Sequence, residues 1–144
     1  MREIEFRAYI KDLNKIFNVK EIDLIFKMIW FEEQNKPRDT MRMIDQCELM
    51  QYTGLKDKNG TKIFEGDIVE FNRHRKLPNH TVEPILVKFN NRNCAFELYP
   101  YGKNLTTGGG GRLLQLDMMS ECEVIGNIYD NPELLEKVVE EWKN

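Results

Sequence analysis

The residues of this chain whose types and spacing invite chemistry are three carboxylates, Glu65, Asp67 and Asp117, and two imidazoles, His74 and His80. Two carboxylates at a suitable separation act as acid and base in hydrolysis. Turn chemistry accounts for Glu65-Gly66-Asp67 better, with Asp67 expected to accept nearby backbone N–H groups. Neither a histidine nor a nucleophile stands beside them in sequence. His74 and His80, with five residues between them, have a spacing seen in zinc sites. Cys47, Cys94 or Cys122 would have to complete the tetrahedron without any C-x-x-C pair, so exposed loop histidines are expected, with no metal and no cofactor.

The three cysteines are odd in number and far apart, which argues against a disulfide scaffold, and each reads as a small buried hydrophobe. Gly108-Gly109-Gly110-Gly111 before Arg112 lacks the Lys-Ser/Thr pair and the following helix of a phosphate loop and reads as a flexible connection. A basic arm, Arg73-His74-Arg75-Lys76, with Lys88 and Arg92 nearby in sequence, has the charge to grip phosphates. No aromatic residue interleaves with those cations to stack on bases.

These residues need elements to hold them. A chain of 144 residues, 41% hydrophobic and 31% charged, suits one domain or two very small ones and can bury roughly two thirds of its surface without disulfides. Twenty-one basic against twenty-four acidic residues leave a net charge of −3, which excludes a surface that is one continuous footprint for nucleic acid or anionic lipid. The sequence has no run of apolar residues long enough to cross a membrane, and Met1-Arg2-Glu3-Ile4-Glu5 does not open a signal peptide. A soluble cytoplasmic protein is expected.

Alternation places Ile4, Phe6, Ala8 and Ile10 on one face of a first strand, and Lys11 to Lys15 turn it into a hairpin with Ile16 to Val19. From Glu21 to Phe31 both a strand and a helix satisfy the apolar spacing; the strand is favoured, with both faces apolar near its end. The polar stretch Glu32 to Asp39 is a loop and the best internal boundary. Asn59-Gly60 predicts a type I′ hairpin turn, and Gly66-Asp67 a second turn before a strand from Ile68 to Phe71. Ile85 to Phe89 and Cys94 to Tyr99 form another hairpin, and Glu123 to Tyr129 a last strand in which Gly126 marks a bulge or a close backbone crossing. Asn131 and Pro132 then start an amphipathic helix whose stripe is Leu134, Leu135, Val138, Val139 and Trp142.

Met50-Gln51-Tyr52-Thr53-Gly54-Leu55-Lys56-Asp57-Lys58-Asn59-Gly60, followed by Ile63-Phe64-Glu65-Gly66-Asp67-Ile68-Val69, resembles the YopX family of bacteriophage and prophage proteins. The resemblance extends to Glu3-Ile4-Glu5-Phe6-Arg7-Ala8 and to Val124-Ile125-Gly126-Asn127-Ile128-Tyr129-Asp130-Asn131-Pro132-Glu133-Leu134-Leu135. Tyr9 stands where members often carry Trp. It implies a mostly β fold whose C-terminal part looks like an SH3-like barrel, and no established biochemical activity. It also implies a phage or prophage origin, hence an infected or lysogenic bacterial cell.

The expectation is thus a mainly β protein: an N-terminal β unit over 1–46, with an SH3-like barrel and C-terminal helix over 47–144. No reaction is expected of it. It should bind protein, as a homo-oligomer through apolar surface at Ile25, Ile29, Phe31 and Trp142, with a phage or host protein as a further partner. The alternative is a nucleic-acid-binding accessory protein using Arg73 to Lys76, Lys88 and Arg92.

Overall fold

A computed structural model describes residues 1, 3–71, 84–92, 94–99, 112–113 and 121–136. Among these the fold is mainly β, in antiparallel sheets, with two short helical turns. The chain divides into two compact units, Met1–Tyr52 and Thr53–Asn144.

The first unit opens with β1 (Phe6–Ile10), where alternation buries Ala8 and Ile10 completely. A turn over residues 11–14, with Asn14 in the left-handed region at φ 48°, reverses the chain into β2 (Lys15–Asp23). The expected single strand over 21–31 is instead a hairpin. β2 stops at Asp23, residues 24–27 turn, and β3 (Met28–Phe31) runs back with Ile22 opposite Ile29. The turn went unseen because it holds neither glycine nor proline. Beyond the polar loop come β4 (Thr40–Met43), a single 3-10 turn (Ile44–Gln46) and β5 (Cys47–Lys56). The pairing order β4-β3-β2-β1-β5 gathers Ala8, Ile10, Ile29, Phe31 and Cys47 into one core, which Phe17 joins with its ring centroid 4.6 Å from that of Phe31. Full burial of a side chain such as Phe31 or Ile29 stabilises by about 1.5–3 kcal/mol.

β5 runs through the unit boundary, and its far end pairs with β6 (Lys62–Phe64). The reversal between them puts only Gly60 at positive φ (81°). Asn59 stays at negative φ, so the expected type I′ turn is absent; the Gly60 N–H bonds to Asp57 O, and glycine absorbs the left-handed residue alone. The next turn has Gly66 at φ 83°, and Asp67 Oδ2 accepts the Phe64 N–H at 2.8 Å, as its place in the sequence required.

β7 (Asp67–Phe71), β8 (Ile85–Asn90), β9 (Ala95–Tyr99), β10 (Arg112–Leu113) and β11 (Cys122–Asn127) form a sheet ordered β10-β9-β8-β7-β11. Val69, Val87, Leu98 and Cys122 from four of these strands, with Ile63, make its core. Among the described residues no strand pair closes this sheet into a barrel. The register of β11 shifts between Val124 and Gly126, which places the bulge where the glycine predicted it. The final helix is described over residues 133–136; Val138, Val139 and Trp142 lie outside the described residues.

Candidate docking surface

The β2–β3 turn, Leu24-Ile25-Phe26-Lys27, is closed by a carboxylate. Asp23 Oδ1 accepts the N–H groups of Ile25 and Phe26, each at 2.8 Å, and Lys27 takes the left-handed conformation at φ 54°. That geometry turns three consecutive apolar residues outward: Leu24 is 79%, Ile25 86% and Phe26 65% exposed. Closing the turn requires none of them to be apolar.

The neighbouring strands extend this surface. Met28 lies opposite Met43, and Trp30 opposite Met41. Because Ile29 and Phe31 fill the core face, the alternation of a strand puts Met28, Trp30, Met41 and Met43 together on the other. Met41 and Met43 are exposed, while Met28 and Trp30 are half-buried. Methionine adapts its shape to a partner and makes favourable contacts with aromatic rings.

β4 is the terminal strand of its sheet, and its outer edge is blunted. Ile44 gives its N–H to Lys27 O at 2.9 Å, so antiparallel alternation turns the backbone groups of Met41 and Met43 outward. Side chains of the same unit engage them. Gln46 Oε1 accepts the Met43 N–H at 3.0 Å, Cys47 Sγ donates to Met43 O at 3.2 Å, and Arg42 Nη1 donates to Met41 O at 2.8 Å. Burial pushes the Cys47 thiol up, so the sulfur keeps the proton this contact uses. Arg42 is itself held by Asp12, through Nε at 3.1 and 3.2 Å and Nη2 at 2.8 Å. That hydrogen bonding holds the Asp12 carboxyl below its usual range and raises the guanidinium. Such caps keep a foreign strand from adding to an edge.

Of the interface residues expected from sequence, Ile25 stands at the exposed turn. Ile29 and Phe31 are wholly buried in the core, so the apolar surface shifts from them to Leu24, Phe26, Met41 and Met43. The reason is the unseen turn, which changes which residues share a face. Trp142 lies outside the described residues, as do Arg73, His74, Arg75, Lys76, His80, Asp117 and Gly108 to Gly111. Lys88 is on β8 opposite Glu97, with its ammonium 6.0 Å from the Tyr99 ring, and Arg92 is in the following turn, giving its N–H to Asn90 Oδ1. Among the described residues no group of three His, Cys, Asp or Glu side chains is placed to hold a metal ion. Cys47 and Cys122 are buried as expected; Cys94 is exposed, because its turn position at φ 50° carries it out of the apolar run.

A buried carboxylate on β9 also escaped sequence reasoning. Glu97, only 1% exposed, accepts hydrogen bonds from Asn90 Nδ2 at 2.8 Å and Tyr99 Oη at 2.7 Å. The alternation Ala95-Glu97-Tyr99 was the available signal, for it puts the last two on one face.

A match to the model of the YopX protein family spans residues 5–136. The chain belongs to the YopX family. This YopX chain is similar in structure to protein EF1440 from Enterococcus faecalis, with a TM-score of 0.64, 24% identity, and coverage of 94% of this chain and 99% of that one. That likeness is one of fold. No curated protein matches the chain. Among the described residues no helix of this YopX protein is long and apolar enough to cross a membrane.

Proposed function

We propose that this YopX protein is a non-enzymatic, self-associating protein-binding module, encoded by phage or prophage and working in the cytoplasm of the infected or lysogenic cell. One observation carries the binding role: three consecutive apolar residues, Leu24, Ile25 and Phe26, project into solvent from a turn that has no need of them. The proposal includes an SH3-like barrel for the second unit. It is supported by the apolar cluster that Ile63 of β6 forms with Val69, Val87, Leu98 and Cys122 of the β10-β9-β8-β7-β11 sheet, and by the 57–58 segment lying along the outer edge of β11. The basic-arm alternative retains only Lys88 and Arg92 among the described residues, and these give it no geometric support beyond the sequence itself.

Sedimentation velocity over a wide concentration range tests self-association. A mass rising with concentration above the 17.1 kDa of one chain is expected. A fixed 17.1 kDa at every concentration rejects it.

A further inference from the structure

We propose that the partner on this surface is a second copy of the chain, docked face to face through Leu24, Ile25, Phe26, Met41 and Met43, and not by strand addition at β4. The inference rests on the self-association reading and specifies its geometry. Three observations lead to it.

Strand addition needs free backbone groups, and β4 presents few. Both outward groups of Met43 and the carbonyl of Met41 are already engaged by Gln46, Cys47 and Arg42. A partner therefore meets side chains.

The area suits a pair of copies. With about 200 Å² for a large apolar residue, the exposed fractions of Leu24, Ile25, Phe26, Met41 and Met43 amount to roughly 600 Å². Burying that on each of two copies removes about 1,200 Å², the lower bound for a specific interface.

The flanking charges are self-complementary. Glu21 lies opposite Trp30, hence on the same face, and Lys27 closes the apolar turn; both are exposed. In the proposed twofold contact Glu21 of one copy faces the partner's Lys27, and symmetry then repeats the pair.

The test compares dissociation constants by sedimentation velocity on the full chain, with circular dichroism to confirm folding. Ile25→Glu with Phe26→Glu changes only exposed side chains and should weaken association at least tenfold. Glu21→Lys alone should weaken it severalfold, and adding Lys27→Glu should restore it. Arg42→Ala, which uncovers the Met41 carbonyl, should not weaken it. If the wild type associates and the Ile25/Phe26 variant associates equally well, the face-to-face geometry is overturned while self-association stands. If the charge pair shows loss without restoration, the twofold register is overturned. A wild type that remains monomeric removes both.

Discussion

Asp57 Oδ2 accepts the backbone N–H of Val124 at 3.0 Å, across 67 positions of sequence. Its other oxygen accepts the N–H groups of Asn59 at 2.8 Å and Thr61 at 2.9 Å, so one carboxylate shapes the turn and fastens it to β11. The next residue completes the seal: Lys58 gives its N–H to Cys122 O at 3.0 Å, and its ammonium meets Glu123 at 2.5 Å. β11 is the last strand of its sheet, and the 57–58 segment thereby covers two of its outward groups, the Cys122 carbonyl and the Val124 N–H. A run of residues that reads as a turn signature is also an edge cap.

Asp57→Ala should destabilise the fold strongly, because it leaves three N–H groups short of a buried charged acceptor. Hydrogen bonds to charged groups are worth about 1.5–3 kcal/mol each, and partial rehydration limits the total to about 3–4 kcal/mol. Urea unfolding checks this; a loss below about 1 kcal/mol would mean that the carboxylate is dispensable.

Acid should act through the same group. Burial pushes the Asp57 carboxyl up, but the hydrogen bonds from Val124, Thr61 and Asn59 outweigh it and hold the group below its ordinary 3.8. A carboxyl lowered on folding contributes stability that is present above its unfolded value and lost as pH falls through its folded one. Stability should therefore decline below about pH 4, and Asp57→Asn should flatten that decline in urea titrations at successive pH values.

Gly126→Ala should be costly because of one neighbour. A Cβ at this position would overlap the Asn131 carboxamide, whose Cγ would lie 2.7 Å away. Overpacking of this kind costs about 1–3 kcal/mol. Asn131→Ala on the same background should recover part of the loss, and a double-mutant cycle showing no coupling would refute the contact as the cause.

Thiol labelling should resolve the cysteines into two classes. Cys94 is exposed and should react at once, while Cys47 and Cys122 should wait for unfolding. Burial pushes the Cys122 thiol up to about 11, leaving almost no thiolate at pH 8. Cys94→Ser should abolish the fast phase.

Arg42→Ala should release the β4 edge. The Asp12–Arg42 pair is well exposed on its acidic side, so the direct loss of thermal stability should be small and should shrink as salt rises. The clearer effect should be faster aggregation on warming, read by light scattering, because the Met41 carbonyl loses its cap. Unchanged aggregation would show that the cap has no protective role.

Most of the strands could be read from the chain because alternation repeats every two residues and needs no partner to be visible. Ala8 and Ile10 declared themselves this way, while the glycines at 66 and 126 and the Asn90–Arg92 turn did so through local turn and bulge chemistry. The β2–β3 turn did not. Its reversal depends on one Asp23 oxygen and a left-handed lysine, while its residues carry the apolar signature of a strand interior. That single omission moved Ile29 and Phe31 from the expected surface to the core and hid the exposure of Leu24 and Phe26.

The amino-acid order by itself determined the family, the mainly β character, and the backbone roles of Gly66, Asp67 and Gly126, because each follows from local conformational preference or from a recognisable run of residues. Tertiary structure alone decided which residues share a face, that Asp57 seals a strand 67 positions away, and that the β4 edge is capped while the neighbouring face is bare. Those outcomes depend on pairing register between distant segments, and register is set by the packing of the whole unit, beyond the reach of any local pattern.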